Sequence, residues 1–350
     1  MPKDILSMYE HELTEFVLGL GEEKYRAKQL YKWLHKGASL DQMSDIPKKM
    51  KEKLEKEALI PGVKAEEKQV SEDGTVKYLF RCYDGEYIES VFMRHDYGNT
   101  VCVSSQAGCR MGCRFCASTL NGLKRSLAPS EMLSQIYEAQ KDTGERVSNV
   151  VIMGMGEPFD NYDNVVRFIR LLNSENGLNI GCRRISLSTC GLVEGIDRFA
   201  DEGLPVTLSV SLHSPTNEQR DAIMPVNRRY PIEVLLQSCR KYFEKTGRRI
   251  SFEYALIDGQ NNSEEDARKL AALLKSNLPG MAIHVNLIPV NPIKERDFRR
   301  GEKKMTENFV KTLEKHGVNA TVRKRLGADI DASCGQLRAR KYETNAGNQA

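Results

Sequence analysis

The sequence predicts an α/β protein whose parallel sheet carries helices outside it, either doubly wound or curved like a barrel. Three observations predict this class. From residue 100 onward, strand-length apolar runs alternate strictly with helical segments through six βα units. Before residue 100 the pattern differs: the first 60 residues read as short helices, and a hairpin follows them. Apolar residues are 40% and charged residues 29% of the 350-residue chain, a globular balance. That length suits one large domain with an accessory piece, or two domains.

In Tyr9–Leu20 the residues Leu13, Phe16, Val17 and Leu20 recur at helical spacing. A second helix is expected at about Glu23–His35 and a lysine-rich third at about Pro47–Ala58. The runs Val76–Arg81 and Tyr87–Met93 flank Tyr83-Asp84-Gly85-Glu86, whose Asp-Gly pair is a strong tight-turn signal. Glu89 lies on the second of these strands, in phase with Tyr87, Val91 and Met93. Later strands are expected near Thr100–Ser105, Asn149–Gly154, Arg184–Thr189, Val206–Leu212, Ile250–Ile257 and Ala282–Pro289. Helices between them include Pro129–Thr143, Tyr162–Asn173, Ile232–Thr246 and Ser263–Lys275. A last helix near Lys303–His316 precedes a strand near Asn319–Arg325. In either architecture, chemistry gathers at the C-terminal ends of the strands.

Several classes are excluded. The longest apolar runs, such as Asn149–Met155, are strand length, so no transmembrane helix is expected. The start, with three glutamates by Glu15, is unlike a targeting peptide, and the expected location is the cytoplasm. Nine cysteines are then metal ligands, catalytic thiols or core residues rather than a disulfide framework. The net charge of +4 is unevenly spread. Residues 1–94 hold 16 basic against 18 acidic side chains, and residues 294–341 hold 14 against 7. The surplus between Lys294 and Lys341 fits a polyanion footprint or, equally, a solvated helix face.

Cys109, Cys113 and Cys116 give the spacing C-x3-C-x2-C in a loop just after the first strand of the alternating region. Structural zinc sites use four protein ligands, commonly as two separated C-x2-C pairs. Here three close cysteines stand without a second pair. Three thiolates on a four-iron cluster leave one iron open to substrate, and Phe115 beside the last cysteine suits shielding from solvent.

This motif at the first strand of a six-unit βα array resembles the radical S-adenosylmethionine (SAM) superfamily. The resemblance implies a partial (β/α)6 barrel, a [4Fe-4S] cluster on Cys109, Cys113 and Cys116, and SAM chelated to the open iron. Gly154-Met155-Gly156-Glu157-Pro158 resembles the segment that holds the methionine moiety, with Gly156 and Glu157 as the contacts. Ser188, the run Ser211-Leu212-His213, and Asn291 end later strands and would complete the SAM site with hydroxyl, imidazole and amide groups.

Over about residues 20–340 the chain is most similar to the RlmN-type family, which methylates C2 of adenosine in ribosomal and transfer RNA. Cys102 stands seven residues before Cys109, Glu89 thirteen before Cys102, and Cys334 lies in the Gly- and Asp-containing run from Ala328 to Leu337. By resemblance, Cys334 would carry the methyl group as S-methylcysteine, Cys102 would resolve it through a transient disulfide, and Glu89 would accept a proton. From the residues alone, Cys102 could equally be a strand-core residue, and Glu89 an edge charge or a buried carboxylate. Either Cys102 or Glu89 could remove the C2 proton. The expected organisation is an N-terminal helical and hairpin domain (1–94) that contacts RNA, a radical SAM core (95–333) and a catalytic-cysteine segment with its tail (334–350). The implied partners are RNA and an electron donor such as flavodoxin or ferredoxin, with no membrane and a monomeric chain, and two SAM molecules are used per turnover. The competing readings are the related adenine C8-methyltransferase, another radical SAM enzyme such as a glycyl-radical activase, and a zinc-stabilised RNA-binding protein. Pro158 and Asn161-Tyr162-Asp163-Asn164 look more like the C2 family.

Overall fold

The computed structural model describes residues 2–291, 296–330, 337, 338 and 341. Two short strands, β1 (Lys3–Asp4) and β2 (Ala58–Leu59), pair in parallel and close the N-terminal helical unit. Within it lie α1 (Glu10–Gly19), α2 (Lys24–Leu34) and α3 (Lys48–Glu57). Each buries a stripe at helical spacing: Leu13 and Val17; Ala27, Leu30, Tyr31 and Leu34; Met50 and Leu54. The start of α1 is fixed by Glu12, whose Oε2 accepts from the Tyr9 backbone N–H at 2.8 Å.

Strand β3 (Lys64–Val70) comes next. Its sequence, Lys-Ala-Glu-Glu-Lys-Gln-Val, has no apolar alternation and so carries no strand signal. It forms as a largely exposed edge strand, and its charged side chains suit that position. The hairpin β4 (Val76–Arg81) and β5 (Tyr87–Met93) falls on the expected residues. Gly85 adopts φ 88° at its turn, where the Gly85 N–H donates to the Cys82 carbonyl at 3.1 Å.

Strand β6 (Thr100–Cys102) is followed by β7 (Gln106–Gly108) and β8 (Leu123–Ser126), which form a separate antiparallel pair. Then follow α4 (Pro129–Thr143), β9 (Asn149–Ile152), α5 (Tyr162–Leu172), β10 (Ile185–Thr189), α6 (Val193–Phe199) and β11 (Thr207–Ser211). The chain continues through α7 (Asn217–Ile223), α8 (Ile232–Thr246), β12 (Ile250–Leu256), α9 (Glu264–Asn277), β13 (His284–Pro289), α10 (Lys303–Lys315) and β14 (Asn319–Val322). Among the described residues no helix is long and apolar enough to cross a membrane.

Ten strands form one sheet in the order β14-β13-β12-β11-β10-β9-β6-β5-β4-β3. Pairing is parallel from β6 to β14 and antiparallel from β6 back to β3. A doubly wound sheet reverses its strand order at a switch point. Here the order never reverses, so each βα unit adds on the same side, and the sheet is an open, partial barrel. The hairpin expected to belong to residues 1–94 is hydrogen-bonded directly to β6 and extends this sheet.

Strand β6 stops three residues short of its expected end at Ser105. β6 ends at Cys102, after which the Ser104 N–H turns to Gln135 Oε1 at 2.8 Å and the Ser105 N–H to the Met155 carbonyl at 2.9 Å. Backbone leaves the ladder there to build loops at the strand ends.

Candidate active site

The β7–β8 pair clamps the base of the cysteine loop. Gly108 has φ 86°, and a Cβ there would overlap the Gly122 carbonyl oxygen, while the Cys109 N–H donates to that same oxygen at 3.2 Å. Cys109 and Cys113 are buried and Cys116 is half-buried. Burial pushes the Cys109 thiol up to about 12, helped by Cys116, Glu157 and Asp160 as thiolate and carboxylate neighbours. Burial raises the Cys113 thiol too, and Cys116 and Cys109 reinforce it. Cys113 therefore senses both other thiols, and Cys109 senses Cys116. Among the described residues no three metal-binding side chains converge on a point that a single ion would fill. Three thiols gathered in one loop, two of them buried and the third half-buried, fit a four-iron cluster, whose positive iron would draw the protons off.

Phe115 packs edge-on against His213, with ring centroids 4.7 Å apart. His213 is itself buried at φ 57°, and its Nδ1 accepts from the Ala255 N–H at 2.8 Å. Burial, with Arg220 nearby, holds this imidazole neutral by pushing it down to about 3. Its place is behind the aromatic ring of the cysteine loop.

The glycine-rich segment after β9 has the tightness expected of it. A Cβ on Gly154 would meet the Val103 carbonyl at 2.7 Å, and one on Gly156, at φ 101°, would meet Gln106 Cβ at 2.6 Å. The Glu157 carboxylate turns inward, accepting from the Cys190 N–H at 2.7 Å and the Phe159 N–H at 3.0 Å. Burial raises its carboxyl against the pull of those bonds. Its first role is thus to tie the end of β9 to the end of β10. Ser188 and Ser211 are half-buried on β10 and β11, Leu212 is buried, and Asn291 is half-buried just past β13.

Two buried groups were missed by sequence reasoning. Arg220 on α7 is fully buried and donates to the carbonyls of Cys190 (2.8 Å), Ser211 (3.1 Å) and Leu212 (3.1 Å), and to Asn227 Oδ1 (2.9 Å). It fixes two strand ends at once, and a lone arginine on a short helix carries no sequence signal of that. Glu253 on β12 accepts from Asn286 Nδ2 at 2.7 Å, with burial raising its carboxyl. The alternation of Ser251, Glu253 and Ala255 against Phe252 and Tyr254 could have placed it on the inner face.

A second cluster forms on β4, β5 and β6. Glu89 is 2% exposed and Lys77 fully buried, and their side chains pair at 2.8 Å. Since β5 lies between β4 and β6, the edge-charge reading of Glu89 gives way to a buried ion pair. Cys102 sits opposite Val91, two residues along from Glu89 on the same face, which makes it a diagonal neighbour about 7–8 Å away. The Ser104 hydroxyl donates to the Glu89 carbonyl at 2.6 Å and the Ser90 hydroxyl to the Cys102 carbonyl at 2.7 Å.

The C-terminal segment docks on this face from both sides. Leu326 packs against the cluster of Val91, Met93 and Cys102, and Leu337 packs with Leu79 and Tyr87. The Gly327 N–H donates to Asp73 Oδ2 at 2.8 Å, and Asp329 accepts from Ser71 and from the Glu72 N–H. The Arg338 N–H donates to Glu89 Oε1 at 2.7 Å, and its guanidinium pairs with Glu86 at 3.2 Å. Cys334 itself lies outside the described residues.

Residues 103–271 match the family model of the Radical SAM superfamily, and residues 3–60 that of the Ribosomal RNA large subunit methyltransferase N-terminal domain. The chain is 52% identical over 343 residues to a probable dual-specificity RNA methyltransferase RlmN of Lachnospira eligens, covering 97% of each chain. It is 49% identical over 347 residues to the protein of that name from Geobacillus kaustophilus, covering 97% of this chain and 94% of the relative. Among solved structures, a radical SAM methyltransferase from Sphaerobacter thermophilus superposes with a TM-score of 0.91 at 42% identity, covering 96% of this chain and 99% of the other.

Proposed function

Since the chain belongs to the RlmN family of radical SAM RNA methyltransferases, we propose that it methylates C2 of an adenosine in large-subunit ribosomal RNA and in transfer RNA. Adenine C2 lies between two ring nitrogens and is too poor a nucleophile to attack a methyl sulfonium, so a protein-bound methyl carrier is needed. Cys109, Cys113 and Cys116 would hold the [4Fe-4S] cluster, and Gly156, Glu157, Ser188, Ser211, Leu212, His213 and Asn291 the SAM. Bound there, these groups supply the methyl of a first SAM and the 5′-deoxyadenosyl radical of a second.

This chain's own residues do the rest. The Cys334 thiolate takes the methyl group by displacement, forming a carbon–sulfur bond. After giving one hydrogen atom to the 5′-deoxyadenosyl radical, that methyl carbon joins adenine C2 and tethers the RNA to Cys334, and the adduct's unpaired electron would return to the oxidised cluster. Glu89 accepts the C2 proton. The Cys102 thiolate then attacks the Cys334 sulfur, and the disulfide forms as the carbon–sulfur bond breaks. The bonding pair stays on the carbon, which takes up a proton as methylated RNA leaves, and an external reductant restores both thiols.

The observation that carries this reading is the docking of Leu326, Leu337 and Arg338 around Cys102 and Glu89. Cys334 is eight residues from the first anchor and three from the second in the sequence, and the proposal has it act beside Cys102 and Glu89. A base in a loop can be splayed out to reach such a site, whereas a duplex hides C2. Anaerobic incubation with SAM, reductant and protein-free large-subunit RNA tests the proposal by nucleoside mass spectrometry. 2-Methyladenosine is expected; 8-methyladenosine would overturn the assignment to C2.

A further inference from the structure

Helix α2 has a face that folding does not use. Its buried stripe is Ala27, Leu30, Tyr31 and Leu34. Lys24, Lys28, Lys32 and Lys36 recur at intervals of four, forming one row along the helix and just past its end. Tyr25, Gln29 and Trp33 form the adjacent row. From Lys24 to Lys36 there are five cations with Arg26, and no acid, although residues 1–94 as a whole carry more acidic than basic side chains.

These rows enclose a groove of about 360 Å³, lined by Tyr25, Lys28, Lys32, Trp33 and Lys36, with Asp45 completing it. Tyr25 is 55% exposed. The Trp33 indole N–H donates to Asp45, and Lys36 Nζ lies 5.1 Å from the Trp33 ring. Arg26 anchors the same loop by donating to the Asp45 carbonyl at 2.7 Å, and its guanidinium lies 4.8 Å from the Tyr25 ring. Tyr25 is thus held exposed among cations, and Trp33, half-buried with part of its ring against the core, turns its remaining surface to the same groove.

We propose that this groove binds a single-stranded nucleotide of the RNA substrate, away from the target adenine. One base stacks on the exposed aromatic surface, and the flanking phosphates meet Lys28, Lys32 and Lys36. The proposal rests on the assignment of RNA as substrate. Sequence-tolerant single-strand sites combine these two elements, a cationic track and stacking rings. An acidic peptide would use the lysines and leave the rings idle. A duplex offers phosphates but no unstacked base. A membrane surface would want large aliphatic side chains where this helix displays lysine and glutamine.

Trp33 is the one tryptophan of the chain, so its emission reports on the groove. The full chain is titrated at low salt with an eight-nucleotide single-stranded RNA, a blunt RNA duplex and a polyglutamate peptide, while methylation of protein-free ribosomal RNA is followed in parallel. Saturable quenching by the single strand alone is expected. Tyr25→Ala should weaken it roughly tenfold. The exposed pair Lys28→Glu and Lys32→Glu should lower the slope of log affinity against log salt by about 1.4, the share of two phosphate contacts on a single strand. Single-stranded RNA that binds without changing Trp33 emission, equal quenching by polyglutamate, or an unchanged slope in the lysine variants would overturn the site. Methylation with a silent Trp33 removes the groove and leaves the methyltransferase reading intact. Quenching without methylation of any RNA does the reverse.

Discussion

The carboxylate of Glu89 accepts a 2.7 Å hydrogen bond from the backbone N–H of Arg338, four residues beyond Cys334. Its other oxygen pairs with Lys77 at 2.8 Å. One buried acidic side chain therefore fixes where the C-terminal segment returns to the sheet, on the face that also carries Cys102. An ion-paired carboxylate offers only acceptors, which suits both a backbone N–H and a departing proton.

Breaking that pair should be costly from either side. Glu89→Gln or Lys77→Met alone leaves a buried charge uncompensated and should lose about 3–5 kcal/mol. The double variant should recover much of that loss. Urea unfolding of the four proteins measures the coupling, and strict additivity would mean the pair is not energetically linked. Glu89→Gln should also slow RNA methylation while Cys334 still becomes methylated.

On the proposed route, Cys102→Ala keeps the Cys334 carrier and removes the resolving thiol. It should accumulate a covalent protein–RNA adduct through Cys334, stable to denaturant and trimmed by ribonuclease to a residual nucleotide. Denaturing gels and peptide mass spectrometry detect it. Normal turnover by this variant, or an adduct that persists after Cys334→Ala is added, would rule out the two-cysteine route.

Replacing Cys109, Cys113 or Cys116 by Ala should abolish iron–sulfur absorbance and SAM cleavage, because two thiolates hold a four-iron cluster poorly. Iron content and the visible spectrum of anaerobically reconstituted protein check this. Full iron loading in all three variants would remove the cluster from this loop.

Acid stability should depend on His35, which is buried beside Tyr31 and Tyr137 and whose Nδ1 is hydrogen-bonded with the Tyr137 hydroxyl at 2.8 Å. Burial pushes its imidazole down from 6.5 to about 4. The unfolded chain binds this proton first, so the stability it contributes is complete above about pH 6.5 and is lost as pH falls toward 4. The slope is at most about 1.4 kcal/mol per pH unit over that window. His35→Phe should flatten the dependence in denaturant titrations at successive pH values.

Arg323, Lys324 and Arg325 are exposed at the end of β14, within the basic stretch picked out from the sequence. If they meet phosphates, reversing their charge should weaken RNA binding and lower its salt dependence. An unchanged slope would move the RNA surface elsewhere, with the α2 groove as the next place to test.

The sequence alone determined what is local. The ranges Pro129–Thr143, Ile232–Thr246 and the hairpin strands agree residue for residue with the structure, because periodicity, caps and an Asp-Gly turn act over a few positions. The cysteine spacing is local too, and it identified the chemistry before any fold was known. The tertiary structure decided what depends on contacts between distant residues. It chose an open barrel over a doubly wound sheet through pairing order, and made an edge strand of the polar run Lys64–Val70. It supplied Lys77 as the partner of Glu89, and buried Arg220 against carbonyls of two strand ends. No periodicity encodes such meetings: an ion pair or a buried donor is set by which side chains the folded sheet brings within 3 Å, and sequence neighbours say nothing of that. The lysine row of α2 was written in the sequence at a period of four. Summing charge over 94 residues cancelled it, and it gained meaning only when folding buried the opposite face and left the row in solvent beside Tyr25 and Trp33.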